Sequence, residues 1–337
     1  MKYLLFSFLF FYSLAATIAL ADKRKVILIN TMPVPVVVEH SRAIVDTFKQ
    51  HGYVAGENFD LEILEAEGSK ELAATLLSTS VAKQRPQLVI TLATLATQAA
   101  VETLAGTNIP ILFCVVADPV GAGIVQSLDV ASGTNVSGVV FTQRRETKLE
   151  MVMRLLAHSP KGPIVRFGVV CTDYPSGIGD IAKLEKIAAL SGKFKFVVHQ
   201  IPYEGVPNGN PAMRKNFVNA LESIKGKVDF LWQVADPLSE IDWFTKSSLD
   251  SGIPLIHGHT ANSVELGALM TVLYDTQGAA LEVVKMAEQI FKGVDVGTLL
   301  ISTPENFNLY LNMNTAEQLG VTVPSHLLLI AGKNIIW

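Results

Sequence analysis

Phe113-Cys-Val-Val-Ala-Asp118-Pro119 and Phe230-Leu-Trp-Gln-Val-Ala-Asp236-Pro237 are two apolar runs that stop at the same tetrapeptide, Val-Ala-Asp-Pro. Each reads as a buried strand halted at its carboxyl end, because proline cannot donate to a ladder and restricts the residue before it. In an open parallel sheet, ligands gather just beyond the carboxyl ends of the strands. Two such sheets, one per half of the chain, would each present a carboxylate at that edge, as expected of two lobes closing on a small molecule. Asp118 and Asp236 could accept hydrogen bonds from a ligand ammonium, amide or hydroxyl. Equally, each could close an Asx turn over its own loop.

Around these runs the pattern alternates. Strands are expected over residues 26–29, 59–64, 88–92 and 111–116, with helices over 38–51, 70–83 and 96–104 between them. A strand within 133–141 ends this unit. A helix over 146–157 opens a second one, with strands over 164–171, 194–200, 228–234 and 253–257 and helices over 178–190, 211–224 and 238–251. The order implies an α/β fold of two doubly wound, parallel-sheet lobes, each sheet covered on both faces. The lobes are expected to be joined by a three-crossover hinge near Phe141-Thr142, His259-Thr260 and Ser302-Thr303. That places residues 22–141 and 260–302 in lobe 1 and residues 142–259 and 303–337 in lobe 2.

The amino terminus reads as a secretory signal peptide over residues 1–21. Lys2 is followed by an almost wholly apolar stretch, and Ala19-Leu20-Ala21 precedes Asp22 and a charged Lys23-Arg24-Lys25. Export is therefore expected. The remaining chain is longer than one core usually supports. A net charge of −4 over 337 residues, with lysines scattered along helix faces, gives no reason to expect nucleic acid as a partner. The two cysteines, Cys114 and Cys171, fall in strands assigned to different lobes and are read as buried free thiols.

Several loops could carry a ligand. Thr94 and Thr97 stand at a helix start, where free N–H groups and a hydroxyl suit a carboxylate. Asp173 and Tyr174 end the first strand of the second unit, and Tyr174 could stack on a ring. The loop Thr31-Met32-Pro33-Val-Pro35-Val36 is unusually apolar, which makes Met32, Pro33 and Val36 candidate walls for a lipophilic group. Gly177-Ile-Gly179 loosely fits a dinucleotide fingerprint but reads better as a glycine-rich helix start. His257 and His259 lack further ligands at metal spacing. Neither an enzyme motif, a cofactor nor a metal site is expected.

Phe48-Lys-Gln-His-Gly52-Tyr53-Val-Ala-Gly56-Glu-Asn58, Ala117-Asp118-Pro119-Val-Gly121 and Asn135-Val-Ser-Gly138-Val139 resemble motifs of a family of bacterial ABC-transporter substrate-binding proteins. So do Ile253-Pro254, Val264-Glu-Leu-Gly267-Ala268 and Asn312-Met-Asn-Thr315-Ala316-Glu-Gln-Leu319-Gly320-Val-Thr-Val-Pro324. The resemblance runs over nearly the whole mature chain in the right order. It implies a type I periplasmic-binding fold and a monomeric, periplasmic receptor that delivers a small organic ligand to a membrane permease. Aromatic amino acids such as tryptophan or phenylalanine are the ligands of such relatives. Two alternatives stay open: a receptor for a lipophilic, lipid- or sterol-like compound, and a sensing module for a membrane signalling protein. Ligand closure of the hinge would drive each of them.

Overall fold

The computed structural model describes residues 23–141, 145–157, 164–204, 211–303 and 306–337. The expected signal peptide and Thr142 of the first crossover lie outside the described residues. Within them the chain builds two sheets. The first contains β1 (Arg24–Asn30), β2 (Phe59–Glu65), β3 (Leu88–Leu92), β4 (Ile111–Val116) and β5 (Val136–Val140). All its pairings are parallel and the order is β2-β1-β3-β4-β5. Helices α1 (Pro35–Gln50), α2 (Lys70–Gln84) and α3 (Thr94–Thr103) make the crossovers.

The second sheet repeats that design. Its helices are α4 (Arg145–Leu155), α5 (Pro175–Ser191), α6 (Pro211–Ile224), α7 (Asp242–Asp250) and α8 (Ala261–Leu266). Its strands are β6 (Val165–Thr172), β7 (Phe194–Ile201), β8 (Phe230–Trp232), β9 (Leu255–His257) and β10 (Met270–Tyr274). They stand in the order β7-β6-β8-β9-β10, the same permutation as the first sheet. After β10 the chain returns to the first lobe as α9 (Thr276–Phe291), which packs along α1. It then adds β11 (Phe307–Asn312), α10 (Met313–Gln318), α11 (Ser325–Ala331) and β12 (Ile335–Ile336) to the second lobe. β11 runs antiparallel to β10, so the second sheet is not wholly parallel as expected.

The second crossover also differs from its expected place. Val264, Ala268 and Met270 are fully buried in the second lobe, and β10 pairs with β9, so the chain leaves that lobe at Tyr274–Asp275 rather than at His259-Thr260. Burial explains the shift: a strand as apolar as Met270-Thr-Val-Leu-Tyr274 gains more by extending a covered sheet than by bridging between lobes. The third crossover follows Ser302, which still bonds to Gly138 and Val140 of the first lobe.

Strand alternation puts Val26 and Leu28 on one face of the first sheet and Ile27 and Ile29 on the other, each face with its own helix layer. The second lobe holds two further cores, one around Phe167 and Trp232 and one around Phe217, whose ring stacks on Phe244 at 4.1 Å. Cys114 and Cys171 are buried free thiols in β4 and β6. Gly138 in β5 meets β4 so closely that a Cβ there would collide with the backbone and ring of Phe113. Gly138→Ala is therefore expected to cost about 1–3 kcal/mol by forced displacement of β4 against β5. Thermal unfolding followed by circular dichroism checks this, and an unchanged melting temperature would contradict it.

Candidate functional site

The two lobes meet along the carboxyl ends of their strands. β1 and β6, the equivalent first strands of the two units, each lead through a short loop to a residue followed by proline. Val34 precedes Pro35 and Tyr174 precedes Pro175, and both prolines open the following helix. Proline holds the preceding residue extended, at ψ 154° for Val34 and 138° for Tyr174. Neither residue caps its helix, and both side chains line the cleft instead.

The inner cavity measures about 40 Å³, room for a few water-sized groups. Its first-lobe wall comprises Met32, Val34, Val36 and Val37, with Ala93, Thr94, Val115 and Ala117 behind. Its second-lobe wall comprises Tyr174, Ser176 and residues 235–237, with Glu240, His259 and the crossover residue Phe141 at the side. An outer chamber of about 340 Å³ shares Val36, Phe141, Glu240 and His259 with it and opens toward His40, Asp275 and Tyr310. Sites for small ligands usually offer roughly 300–1,000 Å³, a range that the outer chamber reaches and the inner cavity alone does not.

Two strained backbones face this space. Ala93 adopts φ 68° and ψ 171°, a region occupied almost only by glycine, and Val115 has φ 58° despite its branched Cβ. At Val115 the register of β4 against β5 shifts. Each such residue costs on the order of 1–3 kcal/mol, and such strain clusters where a ligand is held.

Of the candidate residues, Met32, Val36, Thr94, Tyr174 and Asp236 line the inner cavity. Thr94 opens α3, where Leu95 N–H is also free of intrahelical partners. The Tyr174 hydroxyl reaches across from the second lobe toward Leu95 N–H and the Thr94 hydroxyl, without full hydrogen-bond geometry to either. Burial raises the phenol above its ordinary range, and the neighbouring Tyr203 adds to this. Asp236 is 2 % exposed and already accepts three hydrogen bonds from its own lobe. Its Oδ2 accepts from the Thr172 N–H and hydroxyl, each at 2.7 Å, and its Oδ1 accepts from Leu238 N–H at 2.9 Å.

Four expected residues do not line the cavity. Pro33 and Asp173 face solvent, and Asp173 accepts instead from Tyr203 N–H. Thr97 is turned inward and shares a 2.8 Å hydrogen bond with Thr91. Asp118 forms the Asx-type turn, accepting from Gly121 N–H at 3.0 Å, and also holds Lys183 of α5 across the cleft at 2.6 Å. Gly177 and Gly179 owe their place to the two aspartates: a Cβ on Gly179 would strike the Asp118 carboxylate, and one on Gly177 would crowd Asp236. Sequence reading missed Val34, Val37, Ala93, Val115, Phe141, Glu240 and His259. The Val34-Pro35 and Tyr174-Pro175 parallel was the available signal for Val34; Glu240 and His259 gave none.

Behind the second-lobe wall lies a buried charge cluster. Arg145 Nε donates to Asp180 Oδ1 at 2.7 Å, and Arg145 Nη2 donates to the Ala117 carbonyl of the first lobe at 3.2 Å. Asp180 Oδ2 accepts from Ala235 N–H at 3.0 Å. Burial alone would raise the Asp180 carboxyl, but Arg145 and Lys148 hold it down to about 2. Burial brings the Lys148 ammonium down to about 8 against the pull of Asp180. Burial likewise keeps His257, stacked on Trp232 at 4.2 Å, well below the ordinary histidine range.

Two outcomes follow from this geometry. Ala93→Gly should raise the melting temperature, because relief of the strained φ outweighs the entropy glycine adds to the unfolded chain, about 0.4–1 kcal/mol; a lower melting temperature would show that the Ala93 methyl matters more than the strain. Lys183→Ala removes the Asp118 partner across the cleft, so small-angle scattering should give a larger radius of gyration than the parent. An identical profile would mean that this ion pair does not hold the lobes together.

A family model for ABC transporter substrate binding proteins matches residues 25–335. A tyrosine-binding protein of Clostridioides difficile is 24 % identical over 280 residues, covering 82 % of this chain and 75 % of the relative. Among solved structures, an ABC domain from Streptococcus pneumonia in complex with L-Trp superposes with a TM-score of 0.78 at 20 % identity, covering 94 % of this chain and all of that one. A ligand-free, open substrate binding protein with adhesive properties from Clostridium difficile gives 0.66 at 22 % identity, covering 93 % and 98 %. Two lobes of one sheet permutation, three crossings and a family match over nearly the whole length place this chain among the ABC transporter substrate binding proteins.

Proposed function

We propose that this protein is a periplasmic receptor that closes on an amino acid with an aromatic or apolar side chain and hands it to the permease of an ABC transporter. The observation that carries this reading is the cavity between the lobes. One wall is aliphatic, at Met32, Val34, Val36 and Val37, and the opposite wall presents the buried hydroxyl of Tyr174 toward the first turn of α3, where it approaches Leu95 N–H and the Thr94 hydroxyl. An apolar wall takes a hydrophobic side chain, and a helix amino terminus with two hydroxyls takes a carboxylate. The tyrosine-binding and L-Trp-bound relatives support the same ligand class. Among the described residues no helix is long and apolar enough to cross a membrane.

Calorimetry with L-tyrosine, L-tryptophan and L-phenylalanine tests the reading. At least one should bind at a single site with a Kd in the micromolar range or tighter, about −8 kcal/mol or better. Tyr174→Phe should weaken that ligand by roughly tenfold through loss of one hydrogen bond to a charged group, while leaving ligand-free stability unchanged. If all three fail and a neutral lipophile saturates the protein, the apolar wall serves a lipophilic ligand and the amino-acid reading falls.

A further inference from the structure

The outer chamber holds an unusual imidazole. His40 on α1 is 2 % exposed, and its Nδ1 lies 2.7 Å from the Val36 carbonyl oxygen. A carbonyl can only accept, so Nδ1 carries the proton and donates. Burial also keeps this ring below the ordinary histidine range, in its neutral form. Nε2 is then a bare acceptor, and it has no partner. A buried acceptor left unmatched costs free energy unless something donates to it.

The chamber that His40 lines is acidic. Glu240, with a side chain 6 % exposed, lines both the chamber and the inner cavity, and its Oε1 lies 3.3 Å from His259 Nε2. Asp275, Asp242 and Glu39 also line the chamber, and Glu240 and Asp275 act electrostatically on His40. Asp275 caps α9 through Gln277 N–H and Gly278 N–H, so it is partly spent. Asp236 already accepts three hydrogen bonds, from Thr172 and Leu238, and does not line the chamber. Glu240 is thus a buried carboxylate of the cleft with room for a new donor, and His40 lines the same chamber.

We propose that the chamber bounded by His40, Glu240 and His259 is a cation subsite of the cleft: it receives a positively charged nitrogen of the ligand, whose apolar part packs on Val36 and Phe141. The nitrogen donates to the Glu240 carboxylate and to His40 Nε2. For an amino acid that nitrogen is the α-ammonium, an identification that rests on the function proposed above. The charge and donor capacity of the group do not depend on it.

The test uses four probes on the full mature protein by calorimetry: L-tyrosine, tyramine, isoamylamine and 3-(4-hydroxyphenyl)propionate. Tyramine keeps the ring and the cation, isoamylamine keeps only a cation on an aliphatic tail, and the propionate keeps the ring without the cation. An amine should bind the parent, and Glu240→Gln should weaken it by roughly thirtyfold or more while the propionate changes little. Thermal unfolding of the ligand-free variant checks that it folds. Proton–nitrogen NMR of the parent gives an independent readout, since the His40 Nε2 resonance must shift when the amine binds.

Isoamylamine binding that depends on Glu240, with L-tyrosine and tyramine inert, supports the subsite and removes the aromatic reading. L-Tyrosine binding that ignores Glu240→Gln keeps the proposed function and overturns the subsite. Failure of both amines to bind the parent, or an unmoved His40 resonance on saturation, overturns it as well.

Discussion

The buried ion pair between Arg145 and Asp180 is the joint on which the cleft depends. Arg145 begins α4, the first element after the chain enters the second lobe, and Asp180 sits one turn into α5. From this pair one hydrogen bond runs to Ala235 N–H, beside Asp236, and another to the Ala117 carbonyl, beside Asp118. Two helices, the second-lobe edge and the first-lobe edge therefore converge on four atoms. Both side chains are less than a tenth exposed, so desolvation is paid in full and either partner left alone would be a buried, uncompensated charge. A pair of this kind adds less to stability than to specificity of arrangement. Its value here is that the second-lobe loops cannot shift without moving the contact to Ala117.

Much of the fold was legible because strands buried on both faces read as unbroken apolar runs, as at Val26-Ile-Leu-Ile29 and Ile111-Leu-Phe-Cys-Val-Val116. The Val-Ala-Asp-Pro echo pointed to two lobes, yet its two copies are not equivalent. Asp118 follows β4, the fourth strand of its unit, whereas Asp236 follows β8, the third. The equivalent of Asp236 is the Ala93-Thr94 turn, and the equivalent of Asp118 is the loop carrying His259. The structural repeat is the permutation of strands and the X-Pro helix start, neither of which is a matching string of letters. The late second crossover escaped for a related reason: β10 is as apolar as any strand of either lobe, and nothing local says which sheet a strand joins.

Site residues were legible where a backbone rule forces them into the cleft. Thr94 at a helix start and Tyr174 before a proline are of this kind. Asp118 and Thr97 were misplaced because polarity near a sheet edge does not reveal direction. Thr97 turns back on Thr91, and Asp118 meets Lys183, a contact between residues 65 positions apart. Glycines 177 and 179 look like a phosphate-binding signature and are in fact space left for two carboxylates. Only tertiary packing separates these meanings.

The same distinction decides which polar groups can act on a ligand. A carboxylate offers about four acceptor positions, and each protein donor it takes leaves fewer for a guest. Asp236 and Asp118 are held by backbone N–H groups and by Thr172 or Lys183, and their work is to fix loops. His40, by contrast, keeps its buried Nε2 unmatched, and the buried Tyr174 hydroxyl only approaches Leu95 N–H and the Thr94 hydroxyl, in a protein interior where polar atoms are ordinarily paired. They stand on opposite lobes, Tyr174 after β6 and His40 on α1, and face connected cavities. A molecule that satisfies both must touch both lobes. A ligand bonded to both would favour the closed state over the open one, and a difference of that kind between states is what a hinge needs in order to respond to a small molecule.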